Sequence, residues 1–133
     1  MRQIFADTSF YQALLHRRDR WHAAAAGILE ELHAEIITTD YVLVKLAALM
    51  SSANARALFT RFVEHLRSDP STTLVRTSPE LFDEGLALFA ARPDKEWSLV
   101  DCISFALMQA RGISEALAAD LHFEQAGFHV LMR

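Results

Sequence analysis

The chain has 133 residues, 52% of them apolar and 23% charged, which excludes a disordered protein and suffices for one domain with its own core. Its 13 basic and 17 acidic residues give a net charge of −4, which argues against a general nucleic-acid binder that relies on excess Lys and Arg. Cys102 is the only cysteine, so a disulfide within the chain and a zinc site built on several cysteines are excluded. We find neither a secretory signal nor an apolar run long enough for a membrane span, so we expect a cytoplasmic protein.

Short apolar runs alternate with helical patterns along the chain. In chain order, the predicted elements are a strand at Ile4–Ala6, helices at Phe10–Leu15 and Trp21–Ala34, a strand at Ile36–Thr39, helices at Tyr41–Met50 and Asn54–Leu66, a strand at Thr72–Arg76, helices at Pro79–Ala91 and Leu99–Arg111, a strand at Glu115–Ala119, a short helix at Leu121–Ala126 and a strand at Phe128–Met132. Strands that are apolar throughout and alternate with helices are typical of a sheet covered on both faces. The sequence therefore predicts a single α/β domain over residues 1–133, with a mostly parallel central sheet of about five strands flanked by helices.

Three acids lie where such a fold binds its ligands. Asp7 directly follows the first predicted strand and Asp120 follows the fourth, and open α/β sheets bind ligands at the carboxyl ends of their strands. Asp101 lies in the first turn of a helix among apolar neighbours, and assigning the helix cap to Ser98 leaves Asp101 without a structural role. Each acid alone is equally well explained as a cap or turn residue. Together, three carboxylates at one sheet edge favour a site for Mg²⁺ or Mn²⁺.

Four segments resemble, in order, the motifs of the PIN-domain ribonucleases, which include the VapC-type toxins. These segments are Phe5–Phe10, Thr38–Leu46, Trp97–Phe105 and Ala118–Phe128. The resemblance covers essentially the whole chain, and it implies a PIN-like fold that holds Mg²⁺ or Mn²⁺ on an acidic quartet and cleaves RNA phosphodiesters. It also implies an antitoxin protein as a partner and a homodimer as the assembly.

Position 45 departs from the family pattern. The resemblance assigns three of the catalytic, metal-binding acids to Asp7, Asp101 and Asp120, but the second acid of the family, usually Glu, is here Lys45. The helix around Lys45 offers almost no polar face, so the ammonium group needs a route to solvent or an acidic partner. We expect it near Asp7 and Asp101, with Asp120 as a third candidate partner, where it would weaken metal binding and cleavage. If the motif is instead shifted locally, Asp40 supplies the missing carboxylate, although Asp40 also fits as the cap of its helix.

Other polar residues near these motifs have both structural and functional interpretations. Thr8 and Ser9 fit either a helix cap or hydrogen bonds to a metal-bound water or a phosphate, and His122 is the only histidine near the expected site. The candidate contacts to the RNA backbone are Arg17, Arg18, Arg20, Arg92 and Lys95, with solvated loops as the alternative.

Two other classes of function compete with a nuclease. Lys45 favours a catalytically inert PIN-like module that binds RNA or a protein. A phospho-acceptor receiver domain would need an Asp after its third strand and a Lys after a late strand, which this chain lacks. The apolar residues Leu43, Leu46, Phe59 and Phe62 fit either a dimer surface or the core.

Overall fold

The computed structural model describes residues 2–132 and confirms the alternation of strands and helices. The elements are β1 (Gln3–Ala6), α1 (Thr8–Leu15), α2 (His22–Glu31), β2 (Glu35–Thr39), α3 (Asp40–Leu49), α4 (Ala53–Ser68), β3 (Thr72–Val75), α5 (Pro79–Ala91), α6 (Leu99–Arg111), β4 (Glu115–Leu117), α7 (His122–Gln125) and β5 (His129–Val130). Within the described residues, no helix has the length and hydropathy that crossing a bilayer requires.

The five strands form one sheet in the order β3-β2-β1-β4-β5, and every neighbouring pair is parallel. The central strand β1 is covered on both faces, so Ile4, Phe5 and Ala6 are completely buried. Phe5 packs against Phe123, which in turn packs edge-on against Phe105 of α6. The predicted α/β domain with a mostly parallel sheet is therefore confirmed.

The strand order places a crevice between β1 and β4. From β1 the chain adds β2 and β3 on one side, and then returns to add β4 and β5 on the other. Phe5 is paired with Ala116 and Ala6 with Leu117, and the Asp7 N–H donates to the Leu117 carbonyl at 3.0 Å. A parallel sheet binds its ligands where the strand order reverses in this way. The topology therefore brings the residues after β1 and β4 to one place.

Several boundaries differ from the prediction for local reasons. β4 ends at Leu117 rather than Ala119, because the Ala119 N–H donates to the Ser9 hydroxyl at 3.0 Å instead of to a strand. α2 ends at Glu31 rather than Ala34, because the chain becomes extended at Leu32 before it enters β2. α4 continues to Ser68, and β5 consists only of His129–Val130.

The prediction that Asp40 caps α3 is wrong. The cap is Thr39, whose hydroxyl accepts from the Val42 N–H at 3.2 Å. The Asp40 carboxylate instead accepts from Arg76 Nε at 2.8 Å and from the Thr77 N–H at 3.2 Å. Asp40 thus ties the start of α3 to the segment that follows β3, and its carboxylate is already occupied there.

Helices α5 and α6 pack closely at Gly85. A Cβ at this position would lie 2.2 Å from Ile103 Cγ1 and 2.8 Å from Ile103 Cα, so only glycine permits this approach. The contact fixes α6 against its neighbour. Because α6 carries Asp101 in its first turn, the contact also holds that acid in place.

Candidate active site

Asp7 is buried at the end of β1, with one oxygen bonded and the other free. It caps α1: Oδ2 accepts from the Ser9 hydroxyl at 2.8 Å and from the Ser9 N–H at 3.3 Å. Oδ1 has no hydrogen-bond partner among the described residues, although Asp7 is only 2% exposed. Burial, together with the negative charges of Asp101 and Asp120, raises the pKa of Asp7 to about 6. Such an environment disfavours a bare carboxylate and suits one that faces a cation.

Asp101, like Asp7, has one carboxylate oxygen that accepts hydrogen bonds and one that does not. It forms a capping box with Ser98: Oδ2 accepts from the Ser98 N–H, and the Ser98 hydroxyl accepts from the Asp101 N–H, each at 3.0 Å. The prediction that a cap at Ser98 leaves Asp101 without a structural role is therefore wrong for this oxygen. Oδ1 is buried and finds no partner in the described part of the chain. One oxygen holds the helix start, and the other is free to bind a ligand.

Asp120 and His122 complete the cluster from the turn after β4. The Asp120 carboxylate accepts from the His122 N–H at 3.1 Å, and His122 Nδ1 lies 3.0 Å from Asp101 Oδ2. Burial and the charge of Asp101 raise the pKa of Asp120, while His122 and Lys45 oppose that shift. One potential donor atom from each of Asp101, Asp120 and His122 lies within 4.8 Å of those of the other two. The sequence placed His122 near the site but gave no sign of this contact to Asp101.

Lys45 acts on the cluster through its charge. The side chain is half-buried on α3, and its positive charge is the smallest of the effects that oppose the raised pKa of Asp120, which burial and Asp101 produce. Among residues 2–132, no carboxylate lies within the 4.0 Å of Lys45 Nζ that would make an ion pair. The lysine therefore lies within electrostatic reach of Asp120 without a direct bond to it.

The other predicted residues have mostly structural contacts. The Thr8 hydroxyl donates to the Val42 carbonyl at 3.2 Å, which joins α1 to α3, and Ser9 joins Asp7 to the Ala119 N–H. Arg92 makes two hydrogen bonds to Asp94, both at 3.0 Å, and lies over the ring of Trp97. Exposed arginines remain at Arg17, Arg18 and Arg20.

This donor set fits a divalent cation. Asp7 and Asp101 each contribute a buried oxygen without a hydrogen-bond partner, and Asp120 adds a carboxylate on the same edge of the sheet. Buried carboxylates that repel one another are stabilised by a shared cation. Asp101, Asp120 and His122 are close enough together to hold a metal ion, and Asp7 lies within electrostatic reach of both of these aspartates.

Comparison with known proteins identifies the family. The PIN domain profile matches residues 4–129 of the chain. This chain belongs to the PIN-domain family. It is 30% identical over 129 residues to the 23S rRNA-specific endonuclease VapC20 of Mycobacterium tuberculosis, in strain H37Rv and equally in strain CDC 1551, and the match covers 94% of this chain and 95% of that protein.

Solved structures agree with this assignment. The crystal structure of Mycobacterium tuberculosis VapC20, a sarcin-ricin loop cleaving toxin, superposes with a TM-score of 0.86 at 26% identity, over 94% of this chain and 95% of that one. FitAcB from Neisseria gonorrhoeae shares the fold, with a TM-score of 0.65, 15% identity and coverage of 96% and 95%. So does a toxin-antitoxin complex from Klebsiella pneumoniae, with a TM-score of 0.60, 18% identity and coverage of 89% and 87%. The chain is a VapC-like member of the PIN endonucleases, as its motifs predict.

Proposed function

We propose that this chain is a metal-dependent endoribonuclease whose substrate is a structured loop of ribosomal RNA, of the kind that VapC20 cleaves. The observation that carries this proposal is the pair of buried, unpartnered oxygens of Asp7 and Asp101 beside Asp120, at the point where the strand order reverses. The similarity to a 23S rRNA-specific endonuclease extends over 94% of the chain, so it includes every element that builds this site. We place its action in the cytoplasm, where ribosomal RNA is found.

Asp7, Asp101 and Asp120 would hold the ion, which we propose to be Mg²⁺ or Mn²⁺. When bound, such an ion activates a water molecule and stabilises negative charge on a phosphate. The protein's own contribution is to fix the carboxylates in advance. Ser9 holds one oxygen of Asp7 and Ser98 holds one oxygen of Asp101, so in each carboxylate the second oxygen is kept free. The cluster also keeps a strong negative charge at the crevice, which attracts a cation and, once the cation is bound, a phosphate.

Lys45 would weaken this site. At the position where the family resemblance places Glu, it removes one carboxylate and adds a positive charge that reaches Asp120. We expect metal affinity and cleavage below those of a site with four acids, because a nearby cation repels a metal ion and stabilises the ligands without it. The exposed arginines Arg17, Arg18 and Arg20, together with Lys95, are the proposed contacts to the RNA backbone.

The decisive experiment compares three forms of position 45. The wild-type chain, Lys45→Glu and Lys45→Gln are titrated with Mn²⁺ by calorimetry and are then incubated with a synthetic sarcin-ricin stem-loop and Mn²⁺. We expect both affinity and cleavage to rise from wild type to Lys45→Gln, where the charge is lost, and again to Lys45→Glu, where a ligand is gained. Cleavage should disappear with EDTA and in Asp101→Asn. If Lys45→Glu neither binds Mn²⁺ more tightly nor cleaves faster, the assignment of position 45 is wrong.

A second candidate function is a catalytically inert module that binds RNA or a protein in the same crevice. Lys45 is the observation that favours it, because it replaces the expected fourth carboxylate with a positive charge that reaches Asp120. In that case the wild-type chain would retain the stem-loop on a binding column in the presence of Mn²⁺ and would release it uncut. Lys45→Glu would then restore cleavage without a large change in RNA binding.

We propose an antitoxin as a protein partner, with its docking site in the groove between α3 and α4. The groove is lined by both apolar and charged side chains. Its lining residues are Asp40, Leu43, Val44, Ala47, Phe59, Val63, Arg67, Arg76 and Thr77. Val44 is 68% exposed at this groove, so its apolar side chain is accessible to a bound peptide.

We also propose a homodimer, through α5 rather than through Leu43, Leu46, Phe59 and Phe62. Leu43, Leu46 and Phe62 pack into the core of the chain itself. In contrast, α5 exposes a stripe at helical spacing, formed by Phe82, Leu86 and Phe89. Two copies packed antiparallel along this stripe would cover its apolar side chains.

A further inference from the structure

We propose that His122 is a metal ligand, and that its imidazole makes this site prefer first-row transition ions such as Mn²⁺ and Zn²⁺ to Mg²⁺. The inference rests on the proposed metal site of the nuclease and adds a residue and a selectivity to it. The observations that carry it are the position of the imidazole, the separation of its nitrogen from Asp101, and the carboxylate oxygens that have no partner.

His122 is held against the cluster by its backbone and by its side chain. Its N–H donates to the Asp120 carboxylate at 3.1 Å, and its Nδ1 lies 3.0 Å from Asp101 Oδ2. The side chain remains 33% exposed, so the ring lies at the mouth of the crevice, where solvent can deliver an ion. The two contacts bring the imidazole to the acids that end β4 and begin α6, and these acids come from distant parts of the sequence.

The distances between the donor atoms of His122, Asp101 and Asp120 suit ligands of one ion. Two neighbouring ligands at about 2.1 Å from an ion and at a right angle lie about 3.0 Å apart. His122 Nδ1 lies at this distance, 3.0 Å, from Oδ2 of the Asp101 carboxylate, whose Oδ1 is the oxygen left free for the ion. A donor atom of Asp120 completes a group whose members lie within 4.8 Å of one another, while opposite ligands of such an ion lie about 4.2 Å apart.

The free carboxylate oxygens provide the second, independent sign of a ligand. Asp101 Oδ1 and Asp7 Oδ1 are both buried, and neither has a hydrogen-bond partner within the described residues. The hydrogen bonds of the turn and of the capping box already use Asp101 Oδ2 and the backbone of His122. A purely structural role for the His122–Asp101 contact would therefore leave Asp101 Oδ1 unexplained, whereas a cation bound by Asp101, Asp120 and His122 satisfies it.

The chemistry of the donors determines which ion the site prefers. Mg²⁺ binds oxygen donors and gives up its water reluctantly, while imidazole nitrogen suits the later first-row ions. Lys45 stands where a further carboxylate is expected from the family resemblance, and the loss of an oxygen ligand weakens the binding of Mg²⁺ most. The imidazole nitrogen of His122 compensates for the missing oxygen ligand only when the ion binds nitrogen well. The order of affinity expected for this chain is therefore Zn²⁺, then Mn²⁺, then Mg²⁺.

The test is a set of calorimetric titrations in the absence of RNA. Mg²⁺, Mn²⁺ and Zn²⁺ are each added to the wild-type chain, to His122→Asn and to the control His129→Asn, which removes an exposed imidazole on β5. Asn at position 122 retains an amide that can still bond Asp101 but lacks the imidazole. We expect His122→Asn to lose about tenfold or more in affinity for Zn²⁺ and a smaller factor for Mn²⁺, with Mg²⁺ nearly unchanged. The control should behave as the wild type does.

Two results would overturn the proposal. An equal loss for all three ions would show that His122 only positions the carboxylates, and no loss for any ion would show that it lies outside the site. Should His122→Asn fail to fold, His122→Gln takes its place, and Zn²⁺-induced shifts of the His122 ring nitrogens in the NMR spectrum of the wild-type chain give the same answer. These readouts do not involve RNA, so a chain that selects Zn²⁺ but cuts no RNA would disprove the proposed activity and leave this inference standing.

Discussion

Replacing Asp7 by Asn should stabilise the metal-free protein while abolishing its proposed activity. Asp7 is 2% exposed, and its pKa is raised from 3.8 to about 6, first by burial and then by the charges of Asp101 and Asp120. A carboxyl group with a raised pKa in the folded state contributes its stability fully below 3.8, and that contribution is lost as the pH rises through about 6. At pH 8 the ionised group therefore costs the folded state about 3 kcal/mol, from a shift of roughly two pKa units.

The substitution removes this cost and keeps the local structure. Asn is as good a helix cap as Asp, so the bond from the Ser9 N–H to residue 7 can be retained. We expect Asp7→Asn to exceed the wild type in free energy of unfolding by about 3 kcal/mol at pH 8 and by about 1 kcal/mol at pH 4.5. The assay is urea denaturation in EDTA at pH 4.5, 6 and 8, with the exposed Asp83→Asn as a matched control.

The reasoning is refuted if the difference in free energy of unfolding between Asp7→Asn and wild type stays constant across this pH range. Such a result would mean that ionisation of Asp7 does not oppose folding. A second measurement ties the effect to metal binding. Saturating Mn²⁺ should stabilise the wild-type chain at pH 8, since the ion offsets the repulsion among the acids. It should stabilise Asp7→Asn much less, because that variant has lost a ligand.

Two further predictions concern packing and assembly. Gly85→Ala should lower the free energy of unfolding by about 1–3 kcal/mol, because the new methyl group meets Ile103, while Gly27→Ala, with no atom within 4 Å of its Cβ, should raise it by about 0.5–1 kcal/mol. Thermal melts of both variants check this pair, and a stable Gly85→Ala would contradict the close approach of α5 and α6. Phe89→Ser should shift the chain towards monomer in sedimentation velocity, because it interrupts the exposed stripe on α5, whereas an unchanged sedimentation coefficient would place any dimer interface elsewhere.

The fold and the three acids could be predicted because each depends on local sequence signals. Apolar runs such as Ile4–Ala6 mark buried strands, and the parallel sheet follows from their alternation with helices. The rule that ligands bind at strand ends then selects Asp7 and Asp120 without any structure. The apolar neighbours of Asp101 indicate a special role for its carboxylate, and the structure places it near Asp120 and in a capping box with Ser98. The capping pattern was present in the sequence as Ser followed three residues later by an acid.

The remaining features depend on contacts between distant residues. The role of Asp40 could not be predicted, because its partner Arg76 reaches it only after β3 has paired with β2. The contact between His122 and Asp101 spans 21 residues and needs α6 and the turn after β4 to meet. Local hydrophobic periodicity does not show which distant segments come into contact.

The charge of this crevice depends on its acids together with Lys45 and His122. The chain's net charge of −4 argues against attraction to nucleic acid when it is averaged over the surface, yet buried acids concentrate at one sheet edge. There, burial and then mutual repulsion raise the pKa values of Asp7 and Asp120, so a bound cation would stabilise both carboxylates. Lys45 and His122 both oppose the raised pKa of Asp120. Of these two residues, only His122 also offers a lone pair to a metal. The balance between these two residues, one repelling an ion and the other able to bind it, is therefore what sets the affinity and the ion preference of this site.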